Sequence, residues 1–89
     1  MKNTKTTTDK FFRLVAIHQI FKSGYQLSVK DLTKRCCKKM GVSEISEPTI
    51  YRDLDFLEDY LNAPLTSKNG IHYYTDLNFT IDFDNLPIL

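Results

Sequence analysis

Between Ser46 and Leu57 the chain reads Ser-Glu-Pro-Thr-Ile-Tyr-Arg-Asp-Leu-Asp-Phe-Leu, and its side groups sort onto two sides of a helix. Ile50, Leu54, Leu57 and Leu61 recur at spacings of four, three and four, one apolar stripe fit to lie on a core. Glu47, Pro48, Tyr51, Arg52 and Asp55 fall on the opposite face. A phenol beside a guanidinium near the start of a helix offers a flat hydrogen-bonding surface and a fixed positive charge. Such groups suit phosphate oxygens and base edges. Ser46 can cap the first turn, Glu47 favours the positive end of the helix dipole, and Pro48 needs no amide donor there. Taken alone, however, a polar helix face is usually just solvated.

The other reactive side chains do not assemble into a reaction centre. Cys36 and Cys37 are adjacent; a disulfide between them would be strained and would close no useful loop, so both read as thiols. His18 and His72 stand far apart in a chain with no third cysteine, which argues against a metal site. His18 lies beside an apolar helical line, where a packed ring is the simpler reading. Asp53, Asp55, Glu58 and Asp59 crowd one helix with no histidine among them. No Gly-rich phosphate loop and no Ser/His/Asp constellation occurs. Neither catalysis nor a cofactor is expected.

Eighty-nine residues suffice for one small core, and 42% hydrophobic content with six Phe and five Tyr indicates a folded chain, not a disordered one. The longest apolar run near the N-terminus, Leu14-Val15-Ala16-Ile17, is too short for a signal peptide or a membrane span. A cytoplasmic location, with no membrane partner, is the expectation. The net charge of +1 hides a strong asymmetry. Residues 1–52 hold eleven Lys and Arg against four acids, a net +7, whereas residues 53–89 hold Lys68 against seven acids, a net −6. Such a dipolar domain can turn its basic end to a polyanion. Uneven surface charge without a partner explains it equally well.

The elements that must position these groups follow in order. Residues 1–8, Thr-rich and basic, read as a flexible arm. A first helix, capped by Thr8 or Asp9, runs to about Lys22 on Leu14, Ile17 and Phe21, and Ser23-Gly24 stops it. A second begins after Ser28, with Asp31 placed for a capping-box variant, and ends at Gly41. Its inward line is Val29, Leu32, Cys36 and Met40; outward lie Lys30, Lys34, Arg35, Lys38 and Lys39. Lysines there are commonly just solvated, but Lys34, Lys38 and Lys39 can also meet phosphates flanking a groove. Val42–Ile45 makes a longer turn than a minimal helix-turn-helix uses. The third helix ends near Leu61. Asn69-Gly70 between two β-prone runs then signals a hairpin whose tip offers Lys68 and Asn69.

The expected fold is mainly α with a small β-hairpin: a winged helix-turn-helix of three helices plus a wing over residues 9–75. Residues 76–89 form a linker or partner-binding tail. In that tail Phe79, Ile81 and Phe83 alternate with polar residues, the period of a strand with one bare apolar face. That face suggests a second copy or a downstream domain as cover. A symmetric pair would set two recognition helices about 34–36 Å apart. The apolar end Leu86-Pro87-Ile88-Leu89 leans the same way.

Arg13-Leu14-x-x-Ile17, Leu32 and Ile45-Ser46-x-x-Thr49-Ile50-Tyr51-Arg52-Asp53-Leu54-x-x-Leu57 resemble the R-L-x-x-I … V-S-x-x-T-I-x-R-D-I-x-x-L line of winged-helix transcription regulators. The match is closest to the N-terminal DNA-binding domain of WYL-domain regulators. Pro64-Leu65, Asn69-Gly70, Tyr73-Tyr74-Thr75-Asp76 and Asn78-Phe79 are similar to that family's wing and the linker leaving it. The resemblance spans about residues 12–80 and is most specific at Thr49–Leu54. It implies sequence-specific binding of double-stranded DNA in the bacterial nucleoid. Thr49, Tyr51 and Arg52 would lie on the DNA face and the wing on the backbone; the family's ligand-sensing C-terminal domain is not in this sequence, so it reads as a fragment of a longer regulator or as a stand-alone binding module. It also implies a structural Asp53 that orients a basic neighbour, Arg13 being the candidate. Glu47 and Pro48 depart from the family, which carries basic or polar residues there; a carboxylate repels phosphates yet can accept from cytosine N4. The competing expectation is a winged helix used for protein contact, with Glu47 and the acidic tail as its surface.

Overall fold

Ser28 and Ser46 open their helices through the caps that their spacing predicts. The computed structural model describes the backbone of residues 2–85 and the side chains of residues 9–85. In it Ser28 Oγ accepts the Asp31 N–H at 3.2 Å, and Ser46 Oγ accepts the Thr49 N–H at 3.3 Å. Helix α1 spans Lys2–Lys22, α2 Val29–Met40 and α3 Glu47–Asp59. Gly41 ends α2 at φ 72°, a left-handed conformation that costs glycine nothing, and its N–H donates to the Cys37 carbonyl. Strands β1 (Leu65–Lys68) and β2 (Ile71–Tyr74) form an antiparallel hairpin in which Lys68 faces Ile71. Asn69 and Gly70 turn it at φ 55° and 79°, as a type I′ hairpin turn requires.

Three helices followed by a two-stranded hairpin make a mainly helical, winged-helix-like layout. One addition is not legible in the pattern. Leu27, just before α2, exchanges two backbone hydrogen bonds with His72, at 3.0 and 2.8 Å, on the open edge of β2. The wing is thus clamped at its far edge to the start of α2.

Leu14, Ile17 and Phe21 of α1, Leu32 and Cys36 of α2, and Ile50 and Leu57 of α3 are fully buried and form one core. Each large member contributes about 1.5–3 kcal/mol of burial, so this stripe, more than any surface contact, fixes α3 on α1 and α2. Leu65 and Tyr74 attach the hairpin to the same cluster. Cys36 sits in it as a small apolar residue, and both cysteines are free thiols.

Two expectations about the ends are revised. The backbone of residues 2–8 continues α1 and does not form a separate arm, so the start at Thr8 or Asp9 is too late. Helical hydrogen bonding there is inherited from the packed part of α1, which already supplies the nucleus. The tail forms no strand. Lys22 Nζ donates to the Leu77 and Phe79 carbonyls at 3.0 and 2.9 Å, and the chain then runs back along α1 to a 3-10 turn at Phe83–Asn85. Phe79 lies edge-on to His18 and Tyr74, and Phe83 edge-on to Phe11 and His18. Phe79, Ile81 and Phe83 are thereby partly buried against their own core. The bare face that called for a partner is covered within the chain. Leu86–Leu89 lies outside the described residues.

Candidate nucleic-acid interface

The placement of α3 rests on an ion pair as well as on its apolar stripe. Asp53, one residue after Arg52, points inward and is only 2% exposed. Arg13 of α1 meets it bidentately, Nε donating to Oδ2 at 2.5 Å and Nη2 to Oδ1 at 3.2 Å. This is the structural role, and the basic partner, expected for Asp53 from the family resemblance alone. Among the described residues it is the only ion pair. A planar fork on a carboxylate fixes rotation as well as distance, so α3 is held against turning about its own axis.

The outward face of α3 then falls where the periodicity puts it. Glu47, Pro48, Tyr51, Arg52 and Asp55 are exposed, Tyr51 by 50%. Arg52 has no carboxylate partner among the described residues. The Tyr51 ring stands edge-on to His72 of β2, centroids 6.3 Å apart, so the wing and the first half of α3 share one surface. At the wing tip Lys68 and Asn69 are exposed. His72 belongs to this surface although its sequence neighbourhood gives no such sign. The only available signal is alternation, which sets His72 on the same side of β2 as the buried Tyr74.

Thr49 is not brought to that surface. Its hydroxyl lies 2.8 Å from Ser46 Oγ, and it lines a crevice with Asp9, Arg13 and Ile45. Residues two apart on a helix differ by about 200°, so Thr49 and Tyr51 take opposite flanks.

The basic residues of α2 divide for the same reason. Lys34 borders the turn into α3, beside Ser43, Glu44 and Ile45. Lys38 lies between Lys34 and Arg35 on the outer face, near Leu27. Lys39 lies along α1 with Gln19 and Phe12, and with Lys38 it borders a second groove beside Ile20. Lys34 is therefore on the α3 side and Lys39 on the α1 side, with Lys38 between them. The Arg35 guanidinium stacks 3.9 Å above the Tyr25 ring and is committed there.

His18 is a packing residue. Its Nδ1 lies 2.8 Å from the buried Tyr74 hydroxyl, and aromatic edges from the tail surround it. Burial, with a smaller contribution from the nearby Lys22 charge, lowers its pKa from 6.5. Burial likewise pushes the Tyr74 phenol well above its usual value. Cys36 is pushed up to about 11, chiefly by burial, so its thiolate is scarce at neutral pH. Among the described residues no group of three His, Cys, Asp or Glu is placed to hold a metal ion, and no helix is long and apolar enough to cross a membrane.

No family model, no curated protein and no solved structure matches this chain.

Proposed function

We propose that this chain is the DNA-binding module of a sequence-specific transcription regulator. The observation that carries the reading is the shared surface of Tyr51, Arg52 and His72. A guanidinium with no carboxylate partner among the described residues and an exposed phenol stand on a rigidly held helix face, with the wing alongside. In this reading the first half of α3 enters the major groove. Arg52 reads guanine O6 and N7 bidentately, Tyr51 contacts a phosphate or a thymine methyl, and Glu47 accepts from a cytosine amine. Lys34 and Lys38 neutralise phosphates on one side; Lys68 and Asn69 at the wing tip do so on the other. The sequence resemblance to WYL-type regulators makes a ligand-responsive protein of the bacterial nucleoid the natural context, with an effector domain following the module.

Fluorescence anisotropy with random and selected duplexes, at low and at moderate salt, tests this. Binding that weakens with salt, and that Arg52→Ala weakens on the preferred sequence by about 1–3 kcal/mol, is the expected result. Absence of binding at low salt refutes it. One observation favours a second reading, a protein-contact module. Tyr60 is 67% exposed and stacked on Phe56 at 4.8 Å, at the end of an α3 that also carries exposed Asp55, Glu58 and Asp59. Under that reading Tyr60→Ala abolishes capture of a protein partner, and duplex DNA does not bind.

A further inference from the structure

Among the described residues, neither the core nor the tail covers one apolar flank of helix α1. Phe12 is 52% exposed. With Val15 and Ala16 of α1, Met40 of α2 and the 41% exposed Val42 after it, Phe12 walls a groove of about 410 Å³. None of its lining residues belongs to α3 or the wing. We infer that a second copy of this chain fills the groove, giving a two-fold symmetric dimer through α1 and the end of α2.

The charges at the two ends of the groove specify the occupant. Asp9 stands at one end, which it shares with the crevice near Ser46 and Thr49. Lys39 stands at the other, near Gln19 and Ser23. Ten residues of helix, about 15 Å, separate Asp9 from Gln19. Neither charge has an ion-pair partner among the described residues. A two-fold axis through the middle of the groove sets Asp9 of each copy against Lys39 of the other. One surface thus supplies both halves of two opposite-charge contacts, the self-complementarity that a symmetric interface demands. Between them Phe12 and Val42 provide an apolar centre with a charged rim, and an aromatic anchor is the usual centre of such a contact. The dimer assigns Lys39 to the partner copy. It leaves Tyr51, Arg52 and the wing open on both copies, and it stands independently of DNA binding.

Analytical ultracentrifugation of the full chain without DNA tests it, across low to high micromolar concentration. The wild type is expected to dimerise reversibly. Phe12→Glu should raise the dissociation constant at least about tenfold, since it puts a charge in the apolar centre. Its circular-dichroism spectrum should be unchanged, because Phe12 lies outside the core. Asp9→Lys and Lys39→Asp should each weaken the dimer, and their combination should restore it to within about threefold of wild type. A wild type that stays monomeric overturns the proposal, as does a dimer indifferent to Phe12→Glu or a charge swap that restores nothing. A monomer that Phe12→Glu destabilises to heat would show the groove filled from within the same chain, and overturns it too.

Discussion

Replacing Arg13 by Ala tests the joint that orients α3. Both Asp53 oxygens accept from Arg13, and the carboxylate is 2% exposed against 14% for the arginine side chain. Without Arg13 a charged group is left buried with no partner, a loss of about 3–5 kcal/mol. A chain of this size holds on the order of 4–13 kcal/mol in all, at about 0.05–0.15 per residue. The variant should therefore melt lower by about 12–40 °C, at 4–8 °C per kcal/mol. Asp53→Ala should cost less, because the longer arginine can swing its head into water. Replacing both by apolar residues, Arg13→Met with Asp53→Leu, should recover most of the loss. Urea and thermal denaturation followed by far-ultraviolet circular dichroism measure all three. If Arg13→Ala costs less than about 1 kcal/mol, the pair behaves like a solvent-exposed one and does not clamp the helix.

Other expectations follow from the same geometry. Lys34→Ala or Lys68→Ala should weaken random and preferred duplexes alike and reduce the salt slope of log K by about 0.9 each; a change of preferred sequence would contradict a phosphate role. His18 should make the fold less stable in mild acid. Its folded pKa is lowered from 6.5, so as pH falls below that value the unfolded chain takes up the proton first, and stability declines down to the folded pKa. Comparing urea midpoints of wild type and His18→Asn at about pH 7.5 and 5.5 isolates this contribution, and equal pH slopes would refute it. Under brief maleimide treatment Cys37, half-buried, should react while Cys36 stays protected until denaturant is added; mass spectrometry showing two adducts on the native protein would contradict the packing.

What the sequence by itself determined were the features set by neighbours within a turn. Ser28, Ser46 and Gly41 cap helices through bonds reaching three or four residues, and Asn69-Gly70 fixes the hairpin through its own backbone angles. The outward Tyr51 and Arg52 were legible for the same reason, since helical periodicity alone separates them from Ile50, Leu54 and Leu57. The Arg13–Asp53 pair was legible only through the resemblance to WYL-type regulators. Tertiary structure decided where these elements meet. His72 reaches Tyr51 because the wing is clamped by Leu27, a pairing no local pattern encodes. Lys34 and Lys39 part company because the turn into α3 borders the first and α1 packs beside the second. Period-two alternation at Phe79, Ile81 and Phe83 promised a strand, yet alternation records only which side chains are buried. With no neighbouring strand to share its hydrogen bonds, the segment lies along α1, where His18, Phe11 and the Lys22 ammonium receive it.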